Sequence, residues 1–124
     1  MSEQKRVLFI GLDPEVVDYD RWPGLTEEKL RGALQADRDA LEAAGYDVAV
    51  CFIDRGETAE RAVGEALSAN AYDAVMIGAG VRKDDEHFLL FEKVLNVVHR
   101  GAPGAKLCFN TGPTDSFAAV RRWI

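Results

Sequence analysis

Arg6-Val7-Leu8-Phe9-Ile10-Gly11-Leu12 carries one charge, at its first position, and shows no alternation of polar and apolar residues. A strand with one wet face would alternate, whereas a near-continuous apolar run is the pattern of a strand covered on both faces, as in a parallel sheet. Three more apolar runs follow, at Tyr46 to Ile53, Ala74 to Ile77 and Lys106 to Phe109. Helical patterns separate them. Thr26 offers an N-cap, Glu27 and Glu28 suit the positive helix end, and Leu30, Ala33, Leu34, Ala40, Leu41 and Ala44 keep a helical period that Gly45 stops. Thr58 to Asn70 carries Ala59, Ala62, Val63, Ala66 and Leu67 along one side, and Asp84 or Asp85 caps a third helix running to about Arg100. Gly101, Pro103 and Gly104 then break the chain, and Ser116 to Trp123 forms a short last helix.

This βαβαβαβα alternation, with connections long enough for crossover helices, predicts a parallel sheet with helices on both faces. Right-handed crossovers leave few topologies, and strand order 2-1-3-4 is the expected one. The fold class is therefore α/β: a three-layer, doubly wound sheet of four strands with flavodoxin-like or Rossmann-like architecture. Residues 1 to 124 suit a single domain. Fifteen basic and twenty-one acidic side chains give a net charge of −6, with no electrostatic footprint for nucleic acid or an anionic membrane. The polar Met1 to Lys5 start does not resemble a signal peptide, and no apolar run approaches the roughly 20 residues of a membrane helix. The expected location is cytoplasmic. Cys51 and Cys108 lie in apolar strand runs without Cys/His ligand spacing, so they read as reduced core residues, and no metal or cofactor is expected.

Candidate binding residues cluster after the third and fourth strands. Val75-Met76-Ile77 runs into Gly78-Ala79-Gly80-Val81-Arg82-Lys83, and Leu107-Cys108-Phe109 into Asn110-Thr111-Gly112-Pro113-Thr114-Asp115-Ser116. On a parallel sheet both turns emerge at the carboxyl edge, where backbone N–H groups, hydroxyls and helix starts can hold an anionic or polar ligand. Gly78, Gly80, Arg82, Asn110, Thr111, Gly112, Thr114 and Ser116 are the expected ligand-binding set. Capping by Thr114, Asp115 or Ser116 is the competing reading of the second turn.

Asp13 ends the first strand at the same edge and is a candidate acid, base or hydroxyl ligand. The segment Asp13 to Leu25 is the only long irregular stretch, and its Tyr19 and Trp22 are candidate lid residues; equally, they simply cover the sheet edge. His87 falls in the first turn of the third helix on its apolar side, which aims the imidazole toward the glycine turns. It is the leading acid/base candidate, against a satisfied structural histidine. Phe88, Leu90, Phe91, Val94, Leu95, Val97 and Val98 occupy about half of that helix, more than a minimal core stripe. A homodimer through residues 85 to 100 is the expected use of the surplus.

The familiar site patterns are absent. The third strand ends in Gly78 where a receiver domain would carry its phospho-accepting Asp, and Asp13-Pro14-Glu15 stands where a flavodoxin would carry a phosphate loop. Gly78-Ala79-Gly80 supplies two of the three glycines of a dinucleotide fingerprint, with Lys83 at the third position. The whole chain resembles a group of small uncharacterised bacterial single-domain α/β proteins that carry Asp13-Pro14 with Asp18, Pro23-Gly24-Leu25, Gly78-Ala79-Gly80-Val81-Arg82 and Phe109-Asn110-Thr111. That resemblance implies the fold and no particular activity. Two functions stay open: binding of a small anionic or polar metabolite at the carboxyl edge of the sheet, with or without acid/base chemistry, or a non-catalytic homodimeric binding or assembly module.

Overall fold

In the computed structural model, which describes residues 4–124, four strands form one all-parallel sheet in the order β2-β1-β3-β4. They are β1 (Arg6–Leu12), β2 (Asp47–Ile53), β3 (Ala74–Ile77) and β4 (Lys106–Phe109). Strand β1 pairs with β2 along its whole length, from Arg6↔Asp47 to Leu12↔Ile53, and with β3 from Val7↔Ala74 to Ile10↔Ile77. Flanked on both edges and both faces, it buries every residue after Arg6. Its two-residue period sends Leu8, Ile10 and Leu12 into one core and Val7 and Phe9 into the other.

The first core is closed by α2 (Ala59–Ala69) and α4 (Phe88–Gly101), which bury Ala59, Val63, Leu67, Leu90, Val94, Val97 and Val98 against the sheet. The second is closed by α1 (Glu27–Ala43) and α5 (Ser116–Arg121). Along its seventeen residues α1 buries only Asp37 and Leu41. Thr26 caps α1 through Lys29 N–H, with Glu27 and Glu28 in the first turn, and Gly45 takes φ +99° to end it.

Several element boundaries differ from the sequence reading. The segment Gly78 to Lys83 is a one-turn helix, α3 (Ala79–Arg82), rather than an open glycine turn, because fully buried Val81 pulls it onto the sheet and Lys83 N–H closes onto the Ala79 carbonyl. Asp84 starts a 3-10 turn at Asp85–His87, and α4 follows through Gly101. Gly101 is a packing residue: a Cβ there would stand 2.9 Å from Leu67 Cδ1 of α2. Nor is the stretch from Asp13 to Leu25 structureless. It holds 3-10 turns at Pro14–Val16 and Tyr19–Arg21, capped by Asp13 and Asp18. Tyr19 O–H donates to the Pro14 carbonyl at 2.7 Å, Arg55 donates to the Val16 carbonyl, and Arg21 pairs with Asp84 at 2.8 Å.

Of the surplus apolar residues on α4, Phe91 and Leu95 pack against the α2/α4 core, and Phe91 meets Phe109 edge-on with ring centroids 6.1 Å apart. Phe88 from that set, 64% exposed, remains outside, beside Leu89, which lies off that half of the helix and is 72% exposed. No helix among the described residues is long and apolar enough to cross a membrane.

Candidate functional site

The glycines at the carboxyl edge make room for a side chain. At Gly11 an added Cβ would come within 2.6 Å of Phe9 Cε1, and at Gly78 within 3.2 Å of Phe9 Cζ and 3.3 Å of the Ile10 carbonyl oxygen. Gly78 has φ −69°, so no backbone strain requires glycine there; what requires it is the Phe9 ring.

Several of the groups nominated to hold an anion are engaged within the chain. Asp115 accepts from Thr111 N–H at 2.9 Å, Thr111 O–H at 2.7 Å and Gly112 N–H at 3.1 Å, so its carboxylate occupies the nest that the second turn forms. Burial raises the Asp115 carboxyl, the Thr111 and Gly112 donors lower it, and the net shift is below the usual aspartate value. Arg82 donates through Nε to the Ile77 carbonyl at 2.9 Å and through Nη2 to the Asn110 carbonyl, with its guanidinium 5.1 Å from the Phe109 ring centroid. It clamps the ends of β3 and β4 together. Burial pulls its pKa below the usual arginine value, opposed by the charge of Asp115.

From Arg82 a buried polar chain crosses the sheet edge to α1. Asn110, 2% exposed, accepts at Oδ1 from Ala79 N–H at 2.8 Å and from Arg82 Nη2 at 3.3 Å, and donates through Nδ2 to Ser116 Oγ at 3.0 Å. Ser116 in turn donates its hydroxyl to Asp37 Oδ2 and its backbone N–H to Asp37 Oδ1 at 3.2 Å. Every donor in the chain points toward Asp37. Asp37 as a residue is 8% exposed; among the described residues its carboxyl is hydrogen-bonded only by Ser116 and has no ion-pair partner. Burial pushes its pKa up; the Ser116 hydroxyl and N–H oppose this, and nearby Asp115 adds to it.

Asp37 and Ser116 line a hollow on the α1/α5 side of the sheet. Its volume is about 420 Å³, within the range of about 300–1,000 Å³ typical of small-molecule sites. Its apolar walls are Phe9, Leu34, Leu41, Val48, Val50 and Phe52, with Arg31, Gln35 and Arg38 completing the lining. The hollow exists because α1 brings little apolar bulk to the outer strand β2, leaving Val50 half-buried and Phe52 39% exposed. A smaller hollow of about 80 Å³ lies at the carboxyl edge and shares Phe9 and Leu34 with the larger one.

The nominated residues divide accordingly. Gly78, Gly80, Asn110 and Gly112 line the smaller hollow, and Ser116 lines the larger. Arg82 and Thr111 are tied up as described, and Thr114 is exposed. His87, 7% exposed, faces the first turn as expected but meets it through Nδ1 at 3.1 Å from the Gly80 carbonyl oxygen. Asp13 accepts from Glu15 N–H as a turn cap and stands 3.9 Å from Arg31. Tyr19 is pinned to Pro14, and Trp22 is exposed. His87, Asp13, Tyr19 and Trp22 line neither hollow.

Sequence reasoning did not single out Asp37, Arg31, Arg38 or Phe9. One signal was available for Asp37. Leu30, Leu34, Asp37 and Leu41 follow the 4-3-4 spacing of a core stripe, and an acid at such a position is an anomaly that asks for a partner. Fold and site together define a four-stranded parallel α/β domain of flavodoxin-like topology with an open, acid-floored hollow under its first helix. No protein-family model matches the chain, and comparison with curated proteins finds no significant similarity.

Proposed function

We propose that this domain binds a small ligand on the α1/α5 side of its sheet, seated over Phe9, Val50 and Phe52, with its inner end at the Asp37–Ser116 pair. The supporting observation is a hollow of ligand size whose floor is a buried carboxyl with a perturbed pKa, a combination concentrated at functional sites. Asn110 and Ser116, two of the nominated ligand-binding residues, contribute by holding Asp37 from behind. The proposal is one of binding, because His87 and Asp13 are already committed to backbone partners.

A fragment screen by thermal shift tests it, comparing wild type with Val50→Trp, which fills the hollow from the β2 wall. Hits should stabilise wild type and leave the variant unmoved. Equal shifts in both proteins would put binding elsewhere. A second reading, assembly of two copies through residues 85 to 100, rests on the exposure of Phe88 and Leu89. Light scattering at twice the chain mass, falling to the monomer mass in Phe88→Ser/Leu89→Ser, is its expected signature; a monomeric wild type contradicts it.

A further inference from the structure

The geometry points to a cationic ligand class for this hollow: a compact amine or amidine whose N–H groups reach Asp37 while its apolar body lies against Phe9, Val50 and Phe52. This inference rests on the hollow being the binding seat and adds the chemistry that the seat selects.

Three observations support a cation over an anion. First, among the described residues that line the hollow Asp37 is the one charged residue that is buried, and its two hydrogen bonds, both from Ser116, leave each carboxylate oxygen with acceptor capacity. A desolvated carboxylate without a counter-cation is satisfied either by a proton or by a positively charged donor.

Second, the two arginines in the lining are not free cations. Arg31 Nε lies 2.9 Å from Glu27, and its Nη2 lies 3.7 Å from Glu15 and 3.9 Å from Asp13. Arg38 Nε lies 2.8 Å from Glu42, while its Nη2 donates to the Val48 carbonyl at 3.3 Å. Both guanidiniums therefore pair with carboxylates outside the lining, and Asp37 is the one acid within it. Third, Phe9 and Phe52 present aromatic surface in the same walls, which favours a cation's approach and accepts a planar body.

The donor chain behind the site fits this role. Arg82, Asn110 and Ser116 pass hydrogen bonds in one direction, so Ser116 supports the ionised form of Asp37 from within while the hollow side stays open to a ligand donor. A cationic ligand completes an ion pair whose one half is already built into the protein.

The test is a 1H–15N NMR titration of the full chain with three probes of like shape: benzamidine as cation, benzyl alcohol as neutral compound and benzoate as anion. Benzamidine should bind at least tenfold more tightly than the other two, with saturable shifts at Leu34, Asp37, Val50 and Ser116. In Asp37→Asn its advantage over benzyl alcohol should shrink to within about twofold. The three-probe comparison in wild type needs no variant, so it stands even if Asp37→Asn does not fold. Equal or tighter binding of benzoate or benzyl alcohol, with shifts still at those residues, overturns the cationic class and leaves the hollow as the seat. Shifts centred elsewhere, or none with any probe, overturn both.

Discussion

The two faces of the sheet are built to different standards. On the α2/α4 side, Leu8, Ile10, Leu12, Val75 and Ile77 meet two helices whose apolar stripes are complete, with Val81, Phe91 and Phe109 filling in around them. On the α1/α5 side, a seventeen-residue helix offers Leu41 and a buried acid, a six-residue helix adds Ala119 and Val120, and a hollow of about 420 Å³ remains beside β2. One face is closed along its length. The other has a core of its own but leaves an opening lined by a buried acid.

Paired truncations put the largest strain on this contrast. Ile77→Ala, fully buried on the packed face, should cost about 2–5 kcal/mol in denaturant unfolding, the usual range for emptying a close-packed site. Val50→Ala on the half-open face should cost less than about 1 kcal/mol, because its methyl groups already border the hollow. Similar costs at both positions would erase the distinction. Gly11→Ala should cost about 1–3 kcal/mol, since the new Cβ forces the Phe9 ring to shift, and the shared wall of both hollows moves with it. Unchanged stability and unchanged ligand shifts in that variant would show that the Phe9 ring is not a fixed wall.

The smallest of these effects is pH-dependent. Asp37 has a folded pKa raised above its unfolded value near 3.9, so its stabilising contribution is full below that value and is lost as pH rises through the folded pKa. Asp54, Asp84 and Asp115 are shifted the other way, below the usual aspartate value, so the stability they contribute is lost at pH values under the window in which Asp37 titrates. The melting temperature of Asp37→Asn should therefore gain on that of wild type between pH 4 and pH 7. A constant difference across that range would mean that Asp37 is not perturbed.

The contrast between faces also explains which parts of the molecule were legible in the sequence. β1 and its partners were readable because strands buried on both faces leave continuous apolar runs, and the 2-1-3-4 order followed from alternation and crossover handedness. The site was less readable, for three physical reasons. Glycine does not say whether it serves a ligand or a neighbour, and at Gly11 and Gly78 the neighbour is Phe9. A loop of donors does not say whether its anion comes from solution or from the chain, and Asp115 fills the nest itself. Asp37 lies in a helix rich in charged residues, where only its place in the Leu30, Leu34, Leu41 stripe marks it as buried. Arg82 was recognised as a group that could meet an oxyanion; its actual acceptors are the Ile77 and Asn110 carbonyls.

The central claim is that the under-packed face is the working face, and mapping fragment-induced amide shifts onto the sheet tests it most directly. Perturbations should gather at Leu34, Asp37, Val50, Phe52 and Ser116 and leave the α2/α4 core still. Shifts gathered instead at Phe88 and Leu89, or at the Thr111–Gly112 turn with α1 unmoved, would contradict it.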